Sequence, residues 1–123
     1  MGKKKILIVD DEPNIRLLVA TILVGTYDVI EAKDGQEAID ITCREKPDLI
    51  MMDIMMPNVD GYTACTAIKS NPETKVIPVI MLTGVGYDLN RKLAEKVGAE
   101  GYVTKPFTKQ ELVCIVDKFM PSG

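Results

Sequence analysis

Asp10, Asp11, Asp53, Thr83 and Lys105 are the residues of this chain whose types and spacing could do chemistry together. Asp10 and Asp11 close the apolar run Lys5-Ile6-Leu7-Ile8-Val9, and Asp53 closes a second run, Leu49-Ile50-Met51-Met52. Short apolar runs of this kind read as buried strands. In an open parallel sheet, ligands bind outside the carboxyl ends of the strands. Three carboxylates converging there repel one another until a cation joins them, and a hard, oxygen-seeking ion such as Mg2+ is the natural guest. Thr83 ends a further apolar run with a hydroxyl, and Lys105 follows the last one with an ammonium. That set suits phosphoryl transfer to a carboxylate. The metal and the lysine neutralise the phosphoryl oxygens while one acid, left free to react, attacks in line.

The same turn argues against an ordinary nucleotide site. Such sites place a glycine-rich loop after the first strand so that backbone N–H groups meet phosphate. Here the turn is Asp10-Asp11-Glu12-Pro13, which is acidic and lacks glycine. It repels a bare phosphate and attracts a cation. An aspartate-nucleophile phosphatase is a rival, but such enzymes space nucleophile and acid as Asp-x-Asp on one strand, and here the two acids are adjacent.

Alternating apolar and amphipathic stretches position these residues, the pattern of a parallel sheet wrapped by helices. Strands are expected over 5–9, 27–32, 48–52, 76–82 and 100–103. The second reads as an edge. The third is apolar on both faces and so central. Pro13 stands where a first helical turn tolerates proline, and Ile15, Leu18, Val19 and Ile22 follow at helical spacing up to Gly25-Thr26. Asp34 with Glu37 marks a second helix start, carrying Ala38, Ile41 and Cys43 and stopped by Pro47. Asp60 caps a third helix whose Ala64, Cys65 and Ile68 face the core. A fourth helix is expected over 88–97, ending at Gly98. Thr108-Lys109-Gln110-Glu111 matches a reciprocal capping box and opens a fifth, with Leu112, Ile115, Val116 and Phe119 inward. Pro106 can fix the direction of Lys105, through a cis bond if need be. The sequence therefore reads as one α/β domain over 1–123, any effector domain being expected on another chain or outside this sequence.

Composition narrows the function. Hydrophobic residues make up 46% and charged residues 27% of 123, which fits a globular chain. A net charge of −3 gives no reason to expect direct nucleic-acid binding. No apolar stretch approaches the ~20 residues that span a bilayer, and the start lacks a signal peptide's apolar segment. No membrane association and a cytoplasmic location are expected. The three cysteines, Cys43, Cys65 and Cys114, form no Cys-x-x-Cys pair and read as small buried hydrophobes. The absence of histidine rules out a His triad, a His-ligated metal and a phosphohistidine on this chain.

Taken in order, Ile8-Val9-Asp10-Asp11, Asp53-Ile54-Met55-Met56-Pro57 with Asp60-Gly61, Leu82-Thr83-Gly84 and Lys105-Pro106-Phe107 resemble the receiver domain of bacterial two-component response regulators, close in outline to the chemotaxis-type single-domain regulator. The resemblance implies a flavodoxin-like doubly wound sheet of five parallel strands in order 2-1-3-4-5 with five helices. It implies a signalling switch rather than an enzyme with a separate substrate, one that promotes its own aspartyl phosphorylation and dephosphorylation. By matching position, Asp53 would accept a phosphoryl group from a sensor histidine kinase or phosphotransfer protein. Asp11, Asp53 and the Met55 carbonyl would ligate Mg2+, and Asp10 would hold it through water. Thr83 and Lys105 would bind the phosphoryl oxygens. Tyr102 would turn inward as Thr83 moves, altering the face made by the 88–97 helix, the fifth strand and the last helix for an output protein the sequence does not name. The chain would be a monomer or a phosphorylation-linked dimer. Two departures stand out. Gly84 follows Thr83 where the family usually has a residue such as alanine, and Met55 and Val85 place apolar side chains at two variable positions beside the site.

Overall fold

A computed structural model describes residues 2–84, 92 and 95–122. Within them the chain runs β1 (Lys5–Val9), α1 (Pro13–Leu23), β2 (Asp28–Ala32), α2 (Gly35–Glu45), β3 (Leu49–Asp53), α3 (Gly61–Ser70), β4 (Val79–Thr83), β5 (Gly101–Thr104) and α4 (Lys109–Phe119). The five strands pair in parallel in the order β2-β1-β3-β4-β5. Four helices are thus bounded among the described residues. The further helix expected over 88–97 lies largely outside them.

The sheet carries a core on each face because successive strand residues point to opposite sides. Leu7, Val9, Ile50 and Met52 meet Ala64 and Ile68 of α3 on one face. Ile6, Ile8, Leu49 and Met51 meet Val19 of α1 and Val116 of α4 on the other. Both faces being covered, β3 and β4 are buried along their whole length. β2 lies at the edge and is more exposed.

Local chemistry sets the boundaries. Asp34, Asp60 and Thr108 each accept the N–H of the residue three positions on, Glu37, Thr63 and Glu111. Glu111 returns a bond from its carboxylate to the Thr108 N–H, completing the capping box. Several expectations shift. The third strand runs one residue further, so Asp53 is its last member. Asp48 precedes it and accepts the Lys5 N–H at 2.7 Å. β4 begins only at Val79, because Pro78 has no N–H to give the ladder. Val76, expected in that strand, is 77% exposed. Glu100 stands outside β5, where its carboxylate accepts the Val79 N–H at 2.8 Å and the Lys69 ammonium at 2.7 Å. Leu18 is exposed and Leu23 takes the buried place on α1. The expectation of three buried cysteines is corrected: Cys65 is buried, whereas Cys43 and Cys114 are exposed. Cys43 follows the buried Thr42 by a step of about 100° around its helix, and Cys114 stands two such steps from the buried Leu112 and Val116.

Two glycines pin the segment after β3. The Gly61 N–H donates to the Ile54 carbonyl at 3.0 Å, and the Gly35 N–H donates to the Val59 carbonyl at 3.1 Å. A Cβ on Gly61 would overlap the Asp53 carbonyl oxygen, and one on Gly35 would overlap that of Val59. α3 and α2 therefore approach the Asp53 loop at a distance only glycine permits. Gly61→Ala should destabilise the fold by about 2 kcal/mol or more, an overpacking cost against backbone that cannot yield as a side chain can. Urea unfolding of the two proteins checks it.

Candidate functional site

Asp10 follows β1 directly, and every polar group on it that the fold presents is engaged. Its N–H continues the ladder to the Ala32 carbonyl at 3.1 Å. Its carbonyl accepts the Arg16 guanidinium at 2.7 Å. Of its carboxylate oxygens, Oδ1 accepts the Glu12 N–H at 2.9 Å and Oδ2 accepts the Lys105 ammonium at 2.8 Å. The residue is fully buried, so these partners replace the water its charge would otherwise hold. Asp53 is 5% exposed. Its Oδ1 accepts the Met55 N–H at 3.3 Å and stands 3.5 Å from Lys105 Nζ.

Lys105 thus joins Asp10 and Asp53 across the end of the sheet. Its backbone is tied to the end of β4, where its N–H donates to the Thr83 carbonyl at 2.7 Å, and the Lys105–Pro106 peptide that follows is cis. Asp11 and Glu12 are exposed at the mouth. One oxygen from each of Asp10, Asp11 and Glu12 can lie within 4.8 Å of the others, a spacing a single ion can bridge. Asp53 reaches this group through Lys105. Thr83 is buried at the end of β4, its hydroxyl 3.5 Å from both the Val103 carbonyl and the Thr104 hydroxyl, so it faces β5. Tyr102 is half-buried on β5, paired with Met81, and stands back from the carboxylates along the strand. Met55 offers its N–H to Asp53 while its side chain is 77% exposed. Val85 lies outside the described residues.

Sequence reasoning brought Asp10, Asp53 and Lys105 together, and the structure does too. It counted Glu12 in the acidic turn but not among the acids that could share an ion, and it missed Arg16 as a second cation at the turn. Glu12 was legible from its neighbours. Arg16 was not, because a guanidinium bound to a backbone carbonyl leaves no motif.

Residues 6–117 match the family described as the response regulator receiver domain. The chain belongs to that family. This receiver domain is 44% identical over 114 residues to the "Probable transcriptional regulator ycf27" of Cyanophora paradoxa, covering 91% of this chain and 46% of that protein. It thus spans less than half the length of such relatives. Among solved structures, it is similar to the chemotaxis protein CheY4 of Vibrio cholerae, with a TM-score of 0.91, 30% identity and coverage of 96% of this chain and 99% of that one. It is equally similar to the receiver domain of the sensor histidine kinase PA1611 of Pseudomonas aeruginosa, with a TM-score of 0.90, 30% identity and coverage of 98% and 100%. That last structure has a magnesium ion coordinated in its active-site cleft. The receiver is a module of two-component signalling, in which such domains work with sensor histidine kinases. No helix among its described residues is long and apolar enough to cross a membrane.

The receiver's electrostatics follow from burial. Desolvation, reinforced by the Asp10 charge and only partly offset by Lys105 and the Met55 N–H, raises the Asp53 carboxyl from 3.8 to about 6. Burial pulls the Lys105 ammonium down, but the Asp10 hydrogen bond and the charges of Asp53, Asp10 and Glu12 outweigh it, and its pKa is raised. Lys105 is therefore charged throughout the range in which Asp53 titrates.

A folded-state pKa above the unfolded one means the folded protein holds a proton the unfolded chain has lost. Stability from Asp53 then falls as pH rises from about 4 to 6 and stays lower above. Without Mg2+, Asp53→Asn should be more stable than wild type at pH 7.5 by about 1–3 kcal/mol. The gap should close toward pH 4. Urea unfolding across pH in the presence of a chelator measures both.

Proposed function

We propose that this receiver is a phosphorylation-dependent switch in which Asp53 takes a phosphoryl group from the phosphohistidine of a sensor histidine kinase or a phosphotransfer protein. The observation that carries the reading is the pairing of two buried carboxylates, Asp10 and Asp53, on one lysine at the sheet's carboxyl end. Asp10, Asp11, Glu12 and Asp53 set four carboxylates against the two cations Lys105 and Arg16, and that excess negative charge fits a divalent ion. Asp10, Asp11, Asp53 and the Met55 carbonyl would hold Mg2+. When bound, Mg2+ supplies charge to the phosphoryl oxygens and lets the donor approach an otherwise anionic site.

The residues then divide the work. An Asp53 oxygen attacks phosphorus, the N–P bond to the donor imidazole breaks, and its electron pair leaves with the imidazole, giving an aspartyl phosphate. Lys105 releases Asp10 to meet the transferred oxygens, at a distance from Asp53 already near contact. The Thr83 hydroxyl turns from Val103 and Thr104 toward the phosphoryl group. Its departure removes a polar contact from β5 and frees space for Tyr102, on the same strand, to move inward and alter the β5–α4 face for an output protein. Attack of water on the aspartyl phosphate restores Asp53, so the chemistry is on the protein itself and not on a separate substrate. Dimerisation on phosphorylation would use that same face.

Incubation with Mg2+ and acetyl phosphate, followed by intact mass, tests this. Wild type should gain one phosphoryl group, and Asp53→Asn or chelation of Mg2+ should abolish the gain. Equal labelling of Asp53→Asn would contradict the assignment of the acceptor.

A further inference from the structure

Arg16 stands on the first turns of α1 and touches two elements at once. One guanidinium nitrogen, Nη1, donates to the Asp10 carbonyl at 2.7 Å, and Nε donates to the Glu31 carboxylate of β2 at 3.0 Å. The side chain is mostly buried, at 18% exposed. Asp10 lies one step beyond the β1 ladder, with its N–H on the Ala32 carbonyl of the same β2 strand. The peptide on its far side has no strand partner. Arg16 supplies one, and Glu31 fixes Arg16. The acidic turn is thereby gripped from both sides by groups rooted in the edge strand.

The hydrogen bonds of Arg16 go to a carbonyl and to Glu31, not to a carboxylate of the turn. It therefore adds positive charge beside Asp10, Asp11 and Glu12 without occupying the oxygens a metal needs. We propose that Arg16 is a positioning residue for the divalent-metal site, holding the Asp10 carbonyl outward so that the Asp10 and Asp11 carboxylates face the same point before metal arrives. This rests on the Mg2+ reading above. Lys105, which does occupy a carboxylate oxygen, has the opposite relation to the metal.

Charge and geometry make opposite demands here, which gives the test its sign. A guanidinium acting only through its charge repels Mg2+, so its removal would tighten binding. A guanidinium acting by position prearranges the ligands, so its removal weakens binding.

The experiment is calorimetric titration of the whole chain with Mg2+ for wild type, Arg16→Ala, Arg16→Lys and Glu31→Gln, with folding of each followed by circular dichroism. Arg16→Ala should bind Mg2+ about 10-fold more weakly, the scale on which partners that orient metal ligands act. Arg16→Lys should recover only part of this, since one ammonium cannot take both contacts in the fork geometry. Glu31→Gln, which keeps Arg16 and an acceptor for it, should weaken binding less than Arg16→Ala and serves if that variant fails to fold. Labelling of Asp53 by acetyl phosphate supplies the second readout. The Mg2+ concentration for half-maximal rate should rise in Arg16→Ala, while the rate at saturating Mg2+ stays within about 2-fold of wild type, because the groups that touch the phosphoryl oxygens are intact. Unchanged or tighter Mg2+ binding by folded Arg16→Ala, or by Glu31→Gln if only that variant folds, would overturn the proposal and leave the Mg2+ site standing. Failure of wild type itself to bind Mg2+ would overturn both.

Discussion

Repulsion among carboxylates gathered at the end of the sheet is the constraint on which the rest of the structure depends. Asp10 and Asp53 are buried at the ends of neighbouring strands, and the Asp10 charge adds to desolvation in raising the cost of ionising Asp53. Lys105 relieves it from the far side of the sheet, 95 residues along the chain from Asp10. That reach needs β5 to lie at the sheet edge beyond β4 and the chain to turn sharply after Thr104. The order of the strands is thus what lets one ammonium serve two acids that sequence alone holds far apart.

The two cations near the acids differ in kind. Lys105 bonds a carboxylate that a metal would want, so it holds the site in a form that a stronger cation can open. Arg16 bonds a backbone carbonyl and is tied to Glu31, so it stays where it is. Burial also leaves Asp53 as a poor anion by itself, with its pKa near 6. A divalent cation held by these carboxylates would lower the cost of ionisation and favour the Asp53 anion.

Much of this was legible in the sequence because the signals were local. Apolar runs located all five strands within three residues, and Asp34, Asp60 and Thr108 marked helix starts through a bond only three residues long. Asp10, Asp53 and Lys105 could be brought together because a parallel sheet collects strand ends on one side. What was not legible depends on partners distant in sequence. Arg16 finds a carbonyl, and Lys69 finds the Ile77 carbonyl and Glu100. Neither contact has a spacing rule. The exposure of Cys43 and Cys114 turns on one or two steps of about 100° around a helix, which small residues with no strong preference do not reveal. The late start of β4 followed from Pro78, whose lack of an N–H outweighed the apolar character of Val76 and Ile77.

The most direct measurement is the Mg2+ affinity of Lys105→Met beside that of wild type, by calorimetry at pH 7.5 and fixed ionic strength. If Lys105 occupies the place of the metal's charge, Mg2+ must displace it from Asp10, and the variant should bind Mg2+ more tightly. Equal or weaker binding by a folded Lys105→Met would contradict the account, because Lys105 would then be a support for the site and not a cation that the metal replaces.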